Sequence, residues 1–166
     1  MKTPEAPALR ILKAETCRSL SGASDLTYHL GCDDQDNLYL RLWSNSAGGL
    51  HSKHWFSLAR ILERLTDDKP ITSGTLRPVC PGSMNNGGFI LAALRHEGLV
   101  KPLEGAEHGM VRIDPTGYLA EVEKLLAAKV AIALPVVADK RTLPKVAATK
   151  PSRRQPSPSA HRVWRL

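Results

Sequence analysis

The stretch that decides the fold is 72-TSGTLRPVCPGSMNNGGFILAALRHEGLVKPLEGAEHGMVRI-113. Its periodicity predicts a short helix over 72–80, a turn over 81–83 and a longer helix over 84–99. Pro78 limits the short helix to one or two turns, because proline clashes with the turn before it. Two short helices joined by a glycine-containing turn of about three residues are typical of a helix-turn-helix.

The ends of the longer helix carry recognisable signals. Ser83 is the expected N-cap, and Gly98 supplies the left-handed residue at the C-terminus, followed by the apolar Leu99. Gly87 and Gly88 conflict with a helix interior and instead indicate close approach of another surface. Residues 100–104 and 110–113 then predict two short strands folded on each other.

At 100° per residue the longer helix has two different sides. The side expected to pack inward carries Asn86, Ile90, Ala93 and Leu94, flanked by Phe89 and Leu91. The opposite side, expected to face solvent, carries Asn85, Gly88, Ala92, Arg95 and His96. Small residues would let such a helix enter a major groove, where Asn pairs with adenine and Arg with guanine or phosphate. An ordinary solvated face is the alternative interpretation.

From Ser52 to Asp114 the order of elements is helix, helix, tight turn, helix, hairpin, and this order resembles the winged-helix family of nucleic-acid-binding domains. The resemblance covers roughly 60 residues and implies that the third helix reads nucleic acid while the hairpin forms the wing. The nucleic-acid-binding residues that it implies in this region are Arg77, Ser83, Asn85, Asn86, Gly88, Arg95, His96, Lys101 and Arg112.

Two further elements are predicted before this stretch. Residues 26–43 alternate apolar and polar side chains in two runs separated by a turn-rich CDDQDN segment, which predicts an antiparallel hairpin that buries Leu30 and Leu40. Trp55 belongs to the apolar stripe of an amphipathic helix expected over 51–66, with Ser52 as its N-cap. Residues 1–24 are expected to be a loose lead-in that has room for one strand.

After the wing, Asp114 as N-cap and Pro115 at the first helical position predict a helix over 115–133. Its apolar stripe consists of Tyr118, Leu119, Val122, Leu125 and Leu126. The stripe is expected to pack on the core of the monomer, and a homodimer formed through the same helix is the alternative.

The basic charge of the chain is concentrated in its last part. Residues 1–139 contain 15 Lys/Arg and 16 Asp/Glu, whereas residues 140–166 contain 8 Lys/Arg and no acid. From 134 onward the chain is rich in Pro, Ala, Lys and Arg, so residues 134–166 are expected to be a disordered basic tail that binds phosphates by counterion release. Its nucleic-acid-binding residues would be Lys140, Arg141, Lys145, Lys150, Arg153 and Arg154.

Several other classes of function find no support in the sequence. No catalytic motif, metal-ligand set or cofactor fingerprint is present, so neither an enzyme nor a cofactor is expected. Cys17, Cys32 and Cys80 are too widely spaced for a zinc knuckle and are expected to be reduced thiols. The sequence has neither a signal peptide nor an apolar run of about 18 to 20 residues, so a cytoplasmic protein without membrane contact is expected.

The sequence thus predicts an α+β protein with an N-terminal β-hairpin, a winged-helix-like core, one more helix and a basic tail. Its single globular domain is expected over 25–133. The predicted function is binding of nucleic acid, double-stranded DNA first and RNA as the alternative, in transcription regulation or an accessory role. The competing interpretation is a protein-interaction module of the same fold, because the part of the chain before the tail is nearly neutral.

Overall fold

The computed structural model describes residues 9–48 and 53–133. The first of the chain's two units is Met1–Leu134, and the predicted tail, residues 134–166, lies outside the described residues. The first unit has the predicted α+β composition. A four-stranded antiparallel sheet has its strands in the order β1 (Arg10–Arg18), β2 (Asp25–Cys32), β3 (Leu38–Asn45) and β4 (Phe56–Ser57).

The hairpin formed by β2 and β3 confirms the alternation in the sequence. Leu30 pairs with Leu40 across the two strands, and both side chains are buried. The turn between the strands is held by Asp33, whose Oδ1 accepts hydrogen bonds from the backbone N–H groups of Gln35 and Asn37, each at 2.9 Å. Successive side chains of a strand point to opposite faces, so one face of the hairpin forms the core and the other faces away from it.

Strand β1 is the one strand for which residues 1–24 had room, and it makes residues 10–18 part of the large sheet instead of a loose lead-in. It pairs with β2 along its length, with a register shift between Ile11 and Lys13. Because of this bulge, the neighbouring residues Ile11 and Leu12 are both buried. The alternation of buried and exposed residues by which a strand is recognised is therefore interrupted. Residues 10–18 therefore belong to the folded domain.

Helix α1 (Leu58–Arg64) begins later than the sequence predicted. Its N-cap is Ser57, whose Oγ accepts a hydrogen bond from the Arg60 N–H, and the predicted N-cap Ser52 lies outside the described residues. Phe56 pairs with Leu40 of β3, so strand pairing replaces the expected first turns of the helix. Trp55 consequently lies before α1, and its place in the apolar stripe of that helix was predicted wrongly.

The next two helices are α2 (Ser73–Leu76) and α3 (Asn86–His96). The inward side of α3 is confirmed, because Asn86, Ile90, Ala93 and Leu94 are fully buried. Gly98 ends the helix with φ +77°, and the Leu99 N–H donates to the Leu94 carbonyl at 2.9 Å. Gly87 packs against the backbone of Ser73, which is the close approach that the two glycines indicated.

The remaining elements are the hairpin of β5 (Val100–Pro102) and β6 (Met110–Arg112) and helix α4 (Thr116–Ala127). Ile71, between α1 and α2, forms an antiparallel bridge with Met110. Asp114 Oδ1 accepts from the Thr116 N–H at 2.8 Å, as expected of a capping residue, but α4 ends at Ala127 and does not reach 133.

The hydrophobic core lies between the inner face of the large sheet and the helices. Val122 of α4 is buried in it, and Tyr118, Leu125 and Leu126 pack against its edge. The apolar stripe of α4 is thus used within the monomer, and the homodimer remains a prediction.

Candidate nucleic-acid interface

The outer side of α3 is less accessible than the sequence indicated. Asn85 and His96 are exposed and Gly88 is half-buried, but only 1% of Ala92 is exposed, so its assignment to a solvent-facing strip was wrong. The turn between β1 and β2 lies beside the helix, where Leu20 and Ser21 line a groove of about 260 Å³ together with Asn85 and Gly88. The turn therefore limits how closely a large ligand can approach this side of α3.

Two of the predicted nucleic-acid-binding side chains on α3 make hydrogen bonds within the protein. Arg95 Nη2 donates to the backbone carbonyls of Arg18 and Ser19, at 3.4 and 3.3 Å. Asn86 is fully buried, and its Nδ2 donates to the Pro81 carbonyl at 2.8 Å. The inclusion of Asn86 among the binding residues is therefore corrected, since its amide serves the turn before α3. Ser83 also serves this turn, because its Oγ accepts the Asn85 N–H at 3.2 Å.

His96 belongs to a polar network at the C-terminal end of α3. The Tyr28 hydroxyl donates to Glu97 Oε1 and lies 2.8 Å from His96 Nδ1. A phenol has one proton, so Nδ1 of His96 must be the donor in the second bond. Glu97 also binds Lys13 Nζ at 2.7 Å, and only 4% of its side chain is exposed. Burial and the neighbouring carboxylate raise the pKa of Tyr28 well above its ordinary value.

The cations of the predicted wing do not share a face. Arg112 pairs with Val100, and Lys101 pairs with Val111. Directly opposed residues of an antiparallel pair point to the same side and successive residues alternate, so Lys101 and Arg112 point to opposite sides of the hairpin. Arg77 is exposed at the end of α2. The six predicted cations of the tail, from Lys140 to Arg154, lie outside the described residues.

A different group of cations and aromatic rings combines the outward-facing side chains of β3 with residues from the segment before β4 and from α1. We name it the aromatic–basic band. Its members are Tyr39, Arg41, Trp43, Lys53, Trp55 and Arg60. The Arg41 guanidinium carbon lies 4.6 Å from the ring centre of Trp43 and 4.4 Å from that of Trp55. Lys53 Nζ lies 4.6 Å from the Trp43 ring centre, so cations and rings alternate along the band.

The local sequence explains why the band forms. Leu38, Leu40 and Leu42 of β3 point to the core side, which leaves Tyr39, Arg41 and Trp43 on the other face. Gly31 on the adjacent strand provides the space that Trp55 occupies. A methyl group at Gly31 would lie 2.8 Å from Trp55 Cη2, closer than carbon atoms can approach.

His29, on the neighbouring strand β2, contacts two members of the band. Its ring centre lies 5.2 Å from that of Trp43, and its Nδ1 accepts a hydrogen bond from Arg41 Nε at 3.0 Å. Burial, assisted by the charge of Arg41, lowers the pKa of His29 to about 4. The imidazole is therefore neutral at pH 7 and acts as a hydrogen-bond acceptor that orients the guanidinium.

Trp55 and Tyr39 also line an open groove of about 500 Å³ between the band and the end of α2. The other lining residues are His54, Phe56, Ser57, Arg60, Pro78, Val79 and Pro81, and none of these lining residues is acidic. Arg60 is exposed on α1. The groove thus combines aromatic walls with positive charge, which suits a ligand that has planar rings and phosphates.

This band was not predicted from the sequence. Trp55 was assigned to the core side of a helix, and the residues that alternate with the leucines of β3 were assigned no function. The alternation itself carried the signal, since it places Tyr39, Arg41 and Trp43 on one face. The contribution of Trp55 depends on the tertiary contact with Gly31 and has no local signal.

The described residues give little support for metal binding, cysteine chemistry or a membrane-spanning helix. No cluster of three or more His, Cys, Asp or Glu side chains suitable for a metal occurs among residues 9–48 and 53–133. The three cysteines are buried and free, and burial raises the pKa of the Cys80 thiol to about 12, which makes it a poor nucleophile. Among the same residues, every helix is too short or too polar to span a bilayer.

Comparison of this chain with protein-family profiles, with curated proteins and with solved structures gives no match.

Proposed function

We propose that this protein binds nucleic acid through the aromatic–basic band, with the basic tail adding affinity that does not depend on sequence. The observation that carries the proposal is the concentration of Arg41, Lys53 and Arg60 around three aromatic rings. The described residues as a whole contain 14 Lys/Arg and 14 Asp/Glu. Because these residues are neutral overall, the positive band is a local feature and does not reflect a generally basic surface.

The chemistry of the band suits two parts of a nucleotide, the base and the phosphate. Aromatic rings stack on bases, each of which has a π-face, and guanidinium and ammonium groups neutralise phosphates. Eight Lys/Arg without an acid in residues 140–166 would add further phosphate contacts. Both DNA and RNA have these features, so both are candidate ligands.

We propose a winged-helix-like arrangement for residues 58–113 in which the aromatic–basic band, and not α3, is the binding surface. The order α1, α2, α3 and hairpin, together with the isolated bridge between Ile71 and Met110, supports such an arrangement. In this proposal α3 is mainly a packing helix, because Arg95 and Ala92 are engaged by the rest of the domain.

The test is a fluorescence-anisotropy titration of labelled oligonucleotides across a salt series. The full-length protein is compared with a tail-neutralised variant, in which all eight Lys/Arg of residues 140–166 are replaced by Gln: Lys140, Arg141, Lys145, Lys150, Arg153, Arg154, Arg162 and Arg165. The variant should bind every sequence more weakly, and its salt slope should fall by up to about seven, because up to eight phosphate contacts are lost. Binding that remains in the variant should still weaken with salt.

A second candidate function is docking of a partner protein beside α3. The groove there is bordered by Leu20, Met84 and Phe89, and 38% of Leu20 and 77% of Met84 are exposed, so two large apolar side chains face solvent at one groove. The titration separates the two candidates. Loss of all nucleic-acid binding in the tail-neutralised variant would overturn binding by the band and favour the docking module.

A further inference from the structure

We infer that the groove lined by Tyr39, Trp55 and Arg60 is a site for single-stranded nucleic acid, in which an unpaired base stacks on the aromatic wall and Arg60 contacts a phosphate. This inference rests on the proposed function, since it specifies the form of nucleic acid that the band accepts. The volume of the groove, about 500 Å³, lies within the roughly 300–1,000 Å³ typical of small-molecule sites.

The two aromatic side chains of the groove are held in place before any ligand binds. The Tyr39 hydroxyl donates to Asp33 Oδ2 at 3.2 Å, which fixes the direction of the ring. Trp55 is held between Arg41 and the backbone of Gly31. Rings that are already ordered lose little conformational entropy when a base stacks on them, so the stacking energy contributes almost fully to binding.

Trp43 has a different role in the same band. Arg41, Lys53 and His29 all lie against its ring. We assign it to positioning Arg41, which in turn supports Trp55. The groove side of the band, at Trp55 and Tyr39, is where the structure leaves room for a ligand.

A single strand fits these features better than a duplex. In a duplex each base is paired and stacked, so an aromatic groove can reach one only after unpairing it, at a cost of about a few kcal/mol. Reading of an intact duplex requires a helix or ribbon that enters the major groove, and α3 is covered by the β1–β2 turn. An open groove with aromatic rings, the cation Arg60 and no acid among its lining residues has the composition of a single-strand site.

The test compares the affinity of the full-length protein for one labelled strand and for the same strand in a duplex, each at two salt concentrations. Trp55→Leu removes the stacking ring and should weaken single-strand binding about five- to a hundredfold. Trp55→Phe keeps an aromatic ring and should restore most of the affinity. Thermal unfolding of each variant separates loss of binding from loss of folding.

Arg60→Gln provides a second variant that leaves the core untouched. It should reduce single-strand affinity and lower the salt slope by about 0.7 to 0.9, the value for one phosphate contact. Arg64→Gln is the matched control, because Arg64 lies one turn further along α1, is exposed and lines a different groove. The control should leave affinity and slope unchanged, and equal effects of the two substitutions would overturn the role of Arg60.

The outcomes distinguish the single-strand site from the more general proposal that the protein binds nucleic acid. Tighter binding of the strand than of the duplex, lost in Trp55→Leu and retained in Trp55→Phe, supports the single-strand site. Equal affinity for strand and duplex, or an unchanged ratio in a folded Trp55→Leu protein, overturns the inference while nucleic-acid binding itself stands. Absence of salt-dependent binding to either form overturns both.

Discussion

At the scale of single residues, the imidazole of His29 illustrates how burial determines chemistry. Alternation alone places His29 on the outer face of the sheet, where a protonated histidine is an ordinary surface group. In the folded protein the ring is covered by Trp43 and accepts a hydrogen bond from Arg41, and its pKa falls to about 4. A histidine that must stay neutral links the stability of the fold to pH.

We therefore predict an acid-sensitive contribution from His29. Between pH 6.5 and about 4 the unfolded chain binds a proton at this residue and the folded chain does not, so the free energy of unfolding should fall as the pH is lowered through this range. The loss should reach up to about 3 kcal/mol. His29→Gln keeps an acceptor for Arg41 without a titrating ring, so chemical denaturation at pH 7 and pH 5 should show a smaller loss in this variant. An identical loss in both proteins would contradict the assignment.

The two neighbouring glycines of α3 give a matched pair of substitutions. A Cβ at Gly87 would collide with the Ser73 carbonyl oxygen, and the carbonyl carbon would lie 3.1 Å away. At Gly88 the nearest atom would be Ser73 Cβ, at an ordinary 3.8 Å. Gly87→Ala should therefore destabilise the protein by about 1 to 3 kcal/mol, whereas Gly88→Ala should be neutral or stabilise it by up to about 1 kcal/mol. Thermal or urea unfolding measures both, and equal effects would refute the close contact between α2 and α3.

At the scale of secondary-structure elements, the hairpin of β2 and β3 connects the core to the aromatic–basic band. The leucines of β3 form one face of the strand, and Tyr39, Arg41 and Trp43 of the band form the other. A residue change on the core face should therefore disturb both folding and binding.

Leu40→Asp tests this arrangement. It would place a carboxylate without a partner at a fully buried position opposite Leu30, and unfolding should become easier by at least about 3 kcal/mol. Ser44→Asp on the same strand is the control, because Ser44 is exposed and the change should stay within about 1 kcal/mol. Unchanged thermal stability of Leu40→Asp would contradict the predicted burial.

Elements whose ends carry local signals could be predicted from the sequence. Gly98 and Asp114 mark a helix end and a helix start by backbone conformation and capping, and alternation marks the β2–β3 hairpin. Elements defined by tertiary contacts could not be predicted in this way. The start of α1 is displaced because Phe56 pairs with Leu40, and β1 is masked by its bulge.

The same distinction applies to the candidate site. Helical periodicity located the inward side of α3 but gave no information on what covers its other side, so Ala92 and Arg95 were assigned to solvent. The band, in contrast, combines residues from β3 with Trp55 and Arg60, which come together only when the chain folds. A site assembled from separate elements leaves no single motif in the sequence.

At the scale of the whole molecule, charge is divided between a domain that is neutral overall and a basic C-terminal segment. A neutral domain with one local aromatic and cationic surface favours a defined binding site, whereas a basic segment without acids favours contacts to any polyanion. In our proposal the first provides selectivity for an unpaired base and the second increases the rate and strength of association. The two contributions should therefore respond differently to mutation and to salt.

Photo-crosslinking can show whether the aromatic–basic band contacts nucleic acid. The full-length protein is crosslinked to a single strand that carries 5-iodouracil, and the modified residues are mapped by mass spectrometry. We predict that the crosslinks within residues 9–133 fall on Tyr39 or Trp55 and that they disappear when unlabelled strand is added in excess. Crosslinks in this region confined to residues 85–96 of α3 or to the β5–β6 hairpin would show that nucleic acid binds at the third helix or the hairpin and not at the band.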